Sequence, residues 1–179
     1  MQNEIVEVLL TEEQIQNRIK EMAAQINEEY AGKNPIFVGV LRGVVVFFSD
    51  FIRQFNDYCQ IDFMCISSYR GANSTGECIM TKDTSLELRN RHVIILEDIF
   101  DTGKSLDFTY HVLQAKHPAS LKVVTLLDKP DRRKPWVTVK PDYVGFTIPD
   151  KFVVGYGLDY NERFRNLPYI AVIDPNKTK

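Results

Sequence analysis

Three short, dominantly apolar runs, IFVGV (36–40), HVIIL (92–96) and LKVVTLL (121–127), constrain this chain more than any other feature. Runs of this length without polar alternation bury both faces, which marks strands in the interior of a parallel sheet. The stretches between them have helical period. Thr11 and Gln14 stand at capping-box spacing, and Ile15, Ile19, Met22, Ala23 and Ile26 then recur every three or four residues. Gly32 ends that pattern, so the spacing predicts an amphipathic helix over 12–31. VVVFFSDFIRQF (44–55) is predicted as a buried helix despite its β-branched start, and SLDFTYHVLQAK (105–116) as a helix stopped by Pro118. CQIDFMCIS (59–67) reads as a strand with Cys59, Ile61, Phe63 and Cys65 on one face. Its other face starts polar and turns apolar at Met64 and Ile66. YVGFTI (143–148), FVVGY (152–156) and YIAVI (169–173) are further strands, and SYRGANSTGECI (68–79) is a loop. Strands alternating with helices predict an α/β fold with a mostly parallel, twisted sheet flanked by helices. No repeat, linker or low-complexity segment interrupts it, and residues 1–179 read as one domain.

Composition excludes several classes. A length of 179 residues fits a single domain, given about 100–200 residues each. With 44% hydrophobic and 26% charged residues the chain reads as soluble and globular. The net charge of -2 gives no bulk attraction to nucleic acid or anionic lipid, and KPDRRK (129–134) is the one basic cluster. Cys59, Cys65 and Cys78 are odd in number and match no zinc or redox spacing, so they read as thiols of a reducing cytosol. His92, His111 and His117 share no metal-ligand spacing, and there is no G-x-S-x-G elbow. MQNEIVEVLL lacks the basic start and long apolar run of a signal peptide, and no stretch approaches the roughly 20 apolar residues of a membrane span. The expectation is a cytoplasmic protein without membrane or nucleic-acid partners.

The chemistry concentrates in VIILEDIFDTGKSL (93–106), where an apolar strand runs into Glu97, Asp98 and Asp101 and then Thr102, Gly103, Lys104 and Ser105. In an open parallel sheet, ligands bind beyond the carboxyl ends of the strands, which is where the two adjacent acids are expected. The following loop leads into a helix whose first N–H groups suit an anion, with hydroxyls from Thr102 and Ser105. Gly103 admits a close backbone approach. A nucleoside-triphosphate loop, G-x-x-x-x-G-K-[ST], would need its first glycine at position 98, and Asp98 stands there. A ribose phosphate satisfies both halves: phosphate in the amide and hydroxyl cradle, vicinal hydroxyls on the acids. Magnesium shared with a second phosphate group would also suit those carboxylates.

This stretch resembles the phosphoribosyl-pyrophosphate signature of the type I phosphoribosyltransferase family. VGVLRG (38–43), SSY (67–69), LLDKP (126–130) and IPDKFVVGYGLDYNERFRNLPYI (148–170) are similar to its hypoxanthine/guanine branch, in the family's order. The resemblance implies transfer of phosphoribosyl from phosphoribosyl pyrophosphate to hypoxanthine or guanine, with magnesium as cofactor and a homodimer or homotetramer as assembly. It assigns ribose and metal to Glu97 and Asp98, with Asp159 as a further metal and purine-edge position. Asp101 becomes the general base, and residues Asp101, Thr102, Gly103, Lys104 and Ser105 hold the 5-phosphate. Arg42, Gly43 and Arg165 take pyrophosphate, with a non-proline cis peptide expected at Leu41–Arg42. Lys129 takes the 6-oxo group and helps stabilise charge on the purine; Phe152 stacks on the ring and Val153 offers its backbone. A hood is implied from the N-terminal segment and C-terminal region, and a lid over about 68–85 that carries Ser68 and Tyr69. Each of these residues also has a plain structural reading on its own, such as a surface lysine or a core phenylalanine; the ordered set is what points to a site. Two other readings stand beside this one: preference for another base such as xanthine, and a related RNA-binding regulator, which would need a basic face.

Overall fold

The computed structural model describes residues 4–68 and 78–176. The elements run β1 (Ile5–Leu10), α1 (Glu12–Tyr30), β2 (Ile36–Leu41), α2 (Val45–Ile52), β3 (Gln60–Ser68), β4 (Cys78–Lys82) and β5 (His92–Phe100). They continue with α3 (Lys104–Gln114), β6 (Ser120–Asp128), a single 3-10 turn (Pro130–Arg132), β7 (Tyr143–Thr147), β8 (Val153–Val154) and β9 (Ile170–Ile173). The described residues form a six-stranded sheet in the order β4-β3-β2-β5-β6-β7 and a three-stranded sheet in the order β1-β9-β8. In the larger sheet every neighbouring pair is parallel except β3–β4. The three apolar runs are its adjacent central strands, as their lack of alternation predicts.

Both faces are covered. Ile15, Ile19, Met22 and Ile26 of α1 join Phe47, Phe48 and Phe51 of α2 in a core that packs on Phe37, Ile94 and Leu96. Leu106 and Leu113 of α3 pack on the opposite face against Val38, Val93, Ile95 and Val123. The capping box at the start of α1 is present: Thr11 Oγ1 accepts from the Gln14 N–H at 3.2 Å, and Gln14 Oε1 accepts from the Thr11 N–H at 2.9 Å.

Some boundaries differ from the expectation, for physical reasons. On β3 it is Asp62 that is buried, at 7% exposure, whereas Ile61 is 47% exposed. The Asp62 carboxylate is held inside by the N–H groups of Phe63, Ser85 and Leu86. Part of the expected loop is β4, which pairs antiparallel with β3. The N-terminal segment is a strand, β1, paired antiparallel with β9. The helix expected over 44–55 ends at Ile52 and unwinds through two turn hydrogen bonds, Gln54 to Phe51 and Phe55 to Ile52. The strand expected over 152–156 is only Val153–Val154, because Gly155 and Tyr156 both turn to positive φ.

The order of the larger sheet creates the site. From β2 the chain moves outward to β3, and from β5 it moves the other way to β6. The loops after β2 and β5 therefore diverge and leave a crevice at the carboxyl ends of these two central strands, where the strand order reverses.

Candidate active site

β5 continues through Glu97 and Asp98 to Phe100, rather than ending at residue 96 as the sequence suggests. The reason is β6, which supplies ladder partners all the way: Glu97 faces Thr125, Ile99 faces Leu127 and Phe100 faces Asp128. The two acids are thus fixed by a sheet and not by a loop. Glu97 is 6% exposed, and its Oε2 has no hydrogen-bond partner among the described residues. Asp98 is half-buried, and its Oδ1 accepts from the Ile99 N–H at 2.8 Å. Burial first, and then the neighbouring Asp98 charge, push the Glu97 carboxyl well above its ordinary range. Burial likewise pushes Asp98 up to about 6, with the Asp159 charge adding to the rise and backbone N–H groups and Arg165 opposing it. From the β2 side, Gly43 closes on the same carboxylate: a Cβ there would lie 1.8 Å from Asp98 Oδ2. Any side chain at position 43 would force that carboxylate or the loop to move.

The loop after β5 leads directly into α3. Gly103 precedes the helix with φ +87°, and a Cβ on it would meet Val137 at 2.9 Å and Arg133 at 3.0 Å. No described side chain caps the start of α3. A cavity of about 70 Å³ lies over this loop, lined by Glu97, Asp101, Thr102, Gly103 and Ser105 among others. Lys104 opens α3. Asp101 Oδ1 lies 3.1 Å from Arg132 Nε, an ion pair without hydrogen-bond alignment, and Arg132 Nη1 is also 3.6 Å from Asp150. The loop is tied to the following segment by the Lys134 N–H, which donates to the Thr102 carbonyl at 3.0 Å.

The third wall comes from the end of β6 and from β8. Lys129 is 5% exposed; its N–H donates to the Phe100 carbonyl at 3.0 Å, which locks it beside the end of β5. Its ammonium donates to the Lys151 carbonyl at 2.9 Å and stands 3.3 Å from Asp150 Oδ1. Phe152, by contrast, is 43% exposed, with its ring edge-on to Tyr160 at 5.4 Å and 88°. The buried lysine is the informative one of the two, because this residue type is almost never fully buried unless paired. Val153 is buried within β8, opposite Val172.

The fourth wall is cationic. The Leu41–Arg42 peptide is cis, as the resemblance implies, and carries Arg42 out of β2. Arg42 Nη2 contacts Glu162 Oε1 at 2.6 Å. Arg165 donates from Nη1 to the Gly157 carbonyl at 2.8 Å, and its Nη2 lies 2.8 Å from Asp159 Oδ1 and 3.3 Å from Glu162 Oε2. Gly157 seats this turn on the β2 loop, since a Cβ there would stand 2.0 Å from the Gly43 carbonyl.

Contacts between four chain segments therefore bring Arg42, Gly43, Glu97, Asp98, Asp101–Ser105, Lys129, Asp159 and Arg165 to one sheet edge. Phe152 instead packs edge-on to Tyr160 and lines a hollow with Val6, Glu7 and Val172, and Val153 is buried in β8. Ser68 ends β3, and its side chain and Tyr69 lie outside the described residues. Among the described residues no three carboxylates, histidines or cysteines converge into a ready metal cage. Sequence reasoning missed Arg132, Asp150 and Glu162. Arg132 sits in KPDRRK, which reads as a basic surface cluster until the 3-10 turn aims it at Asp101. Glu162 has a local partner in Arg165, but its contact with Arg42, distant in the chain, is invisible in the sequence.

The phosphoribosyl transferase domain family matches residues 6–161. A hypoxanthine-guanine phosphoribosyltransferase of Staphylococcus aureus is 50% identical over 176 residues, covering 98% of this chain and 97% of its own. A solved hypoxanthine phosphoribosyltransferase from the same species superposes with a TM-score of 0.93 at 48% identity, covering 100% of this chain and 97% of that one. The hypoxanthine phosphoribosyltransferase of Trypanosoma cruzi, solved in complex with the product IMP, gives 0.89 at 41% identity over 98% and 97% of the two chains. The chain belongs to the phosphoribosyl transferase family. It has the mixed α/β fold of the type I members and is an enzyme of phosphoribosyl transfer in purine salvage. Among the described residues no helix is long and apolar enough to cross a membrane.

Proposed function

We propose that this enzyme transfers the 5-phosphoribosyl group of phosphoribosyl pyrophosphate to hypoxanthine or guanine, releasing pyrophosphate and forming IMP or GMP. The observation that carries this reading is the meeting, at one sheet edge, of the buried Glu97 and half-buried Asp98, a helix start that no described side chain caps, and the buried Lys129 ammonium. The 5-phosphate takes the amides and hydroxyls of Thr102, Gly103, Lys104 and Ser105, in the small cavity at the start of α3. The ribose hydroxyls donate to Glu97 and Asp98. Phe152 stacks on the purine, Lys129 donates to its 6-oxo group, and the Val153 backbone reads its edge. Adenine offers no acceptor at that position, and an ammonium donates but never accepts.

In the reaction the glycosidic bond forms between a purine ring nitrogen and the anomeric carbon as the bond to pyrophosphate breaks. Pyrophosphate leaves with the electron pair toward Arg42, the Gly43 amide and Arg165. Asp101 takes the proton from the purine nitrogen, and Arg132, 3.1 Å away, orients that carboxylate. Lys129 stabilises negative charge developing on the purine.

The residues fit magnesium. Glu97 Oε2 is buried without a partner, and the Glu97–Asp98 pair is pushed toward protonation in the absence of a counter-charge. The lack of a three-ligand cage suits a cation that keeps waters and takes substrate oxygens. Glu97 and Asp98 would hold it, with Asp159 at a second magnesium position, and it would neutralise charge on the departing pyrophosphate. The smaller sheet forms the hood of a single domain, the segment around 68–85 acts as the lid, and the working form is a cytoplasmic homodimer or homotetramer.

The test is nucleotide formation by purified protein from phosphoribosyl pyrophosphate, magnesium and each of hypoxanthine, guanine, xanthine and adenine. IMP and GMP are expected as the main products. Failure to form nucleotide from any purine would overturn the reading, and a dominant xanthine rate would move the substrate assignment.

A further inference from the structure

The cationic wall of the crevice already carries an anion of its own. Glu162 Oε1 lies 2.6 Å from Arg42 Nη2, and Glu162 Oε2 lies 3.3 Å from Arg165 Nη2. One carboxylate thus spans the two guanidinium groups that the proposed function gives to pyrophosphate. The placement is built, not incidental. Glu162 stands in a tight turn closed by the Tyr160–Arg163 bridge, at φ +61°, and its N–H donates to Asp159 Oδ2 at 2.9 Å. Asp159 in turn pairs with Arg165 at 2.8 Å. A left-handed backbone is costly for a residue with a Cβ, and here the turn that adopts it leaves the side chain in contact with Arg42 on the neighbouring loop after β2. Glu162 is more than half exposed, so solvent surrounds much of its side chain and its carboxylate can swing away.

We propose that Glu162 is a built-in competitor for pyrophosphate: it neutralises Arg42 and Arg165 in the empty site, must be displaced when the pyrophosphate group binds, and returns as pyrophosphate leaves. This rests on the assignment of Arg42 and Arg165 to pyrophosphate. The physical purpose is release. Two arginines on a highly charged product make a bidentate, charge-assisted contact of the strong kind, and an internal carboxylate of matching charge lowers the net gain of holding it. Exposure limits the effect, because solvent-accessible ion pairs are weak.

The experiment is calorimetric titration of magnesium pyrophosphate into the wild-type protein and into Glu162→Gln, without purine, with thermal melting as a check on folding. Glu162→Gln keeps the side-chain length and removes the charge. A Kd about 3–10-fold tighter than wild type is expected, since each exposed pair contributes up to roughly a factor of five. Glu162→Asp, too short to span both arginines, should fall between the two. In steady state the same variants should show a lower KM for phosphoribosyl pyrophosphate and stronger product inhibition by pyrophosphate. Unchanged or weaker binding in Glu162→Gln would overturn the proposal and give Glu162 a purely supporting role for the arginines. Wild-type protein that binds no pyrophosphate would instead defeat the assignment on which it rests.

Discussion

At the scale of single residues, the site separates binding from proton transfer in a way that substitution can read. Asp101 faces Arg132 at the crevice edge and holds no strand or helix together. Asp101→Asn keeps its size and hydrogen bonding but cannot take the purine proton. Steady-state kinetics should show kcat lowered by about 10²–10⁴-fold with the KM for purine within a few-fold of wild type. An equal rise in KM would assign Asp101 to binding. Lys129 belongs to selection. Lys129→Gln offers an acceptor as well as donors, so the ratio of hypoxanthine to adenine kcat/KM should fall by at least tenfold, because an unmet polar group costs about 1–3 kcal/mol. Phosphoribosyl pyrophosphate binding, measured by itself, should barely change.

At the scale of elements, the crevice depends on how closely the loop after β2 approaches the end of β5. Gly43→Ala would put a methyl group 1.8 Å from Asp98 Oδ2, so the loop or the carboxylate must move. The expected result is a folded protein whose KM for phosphoribosyl pyrophosphate rises more than tenfold; a wild-type KM would show that the loop yields freely. The elements themselves were unequally legible. The central strands and α1 are plain because burial on both faces and the capping box leave local marks in IFVGV, HVIIL and Thr11–Gln14. β1 and β4 are not, since each is short and half exposed, and each exists through its antiparallel partner. The apolar run predicts that β5 ends at residue 96, just before the acids, yet the β6 ladder carries the strand through them. In the site, the ordered motif at 93–106 was readable because its parts are adjacent in the chain. Arg132 and Glu162 were not, because Asp101 and Arg42, the partners that give them meaning, are brought near only by the fold. β4 and the β1–β9 pairing show the same limit.

At the scale of the whole molecule, the adjacent acids Glu97 and Asp98 set function against stability. Asp98 has its carboxyl pushed from an ordinary value near 3.8 up to about 6, and Glu97 shifts in the same direction. The folded state therefore binds protons more tightly than the unfolded chain between these values. Stability should fall as pH rises from about 4 to about 6, and the penalty should persist above that. Asp98→Asn removes the charge while its amide oxygen can still accept from the Ile99 N–H. Its melting temperature at pH 7 should exceed that of wild type by about 3–10 °C, for a penalty on the order of 1–3 kcal/mol. Its slope with pH should flatten, and its use of phosphoribosyl pyrophosphate should collapse. A lower melting temperature would show that the pair is compensated within the protein. Magnesium with phosphoribosyl pyrophosphate should stabilise the wild type and leave Asp98→Asn unmoved.

The pairing of β1 with β9 has a consequence for the timing of synthesis. β9 is the middle strand of the smaller sheet, and it emerges about 160 residues after β1. At about 5–20 residues per second, the first strand waits on the order of 10–30 s beside the ribosome before its partner exists. Val6 and Val8, exposed even in the finished protein, are then exposed along an unpaired edge. The wall that carries Phe152 and Val153 is also incomplete until that moment, because β8 pairs with the same late strand. The nascent chain thus has its phosphate loop long before it can hold a base, so a chain cut short before residue 170 should form no nucleotide and should aggregate through its first strand.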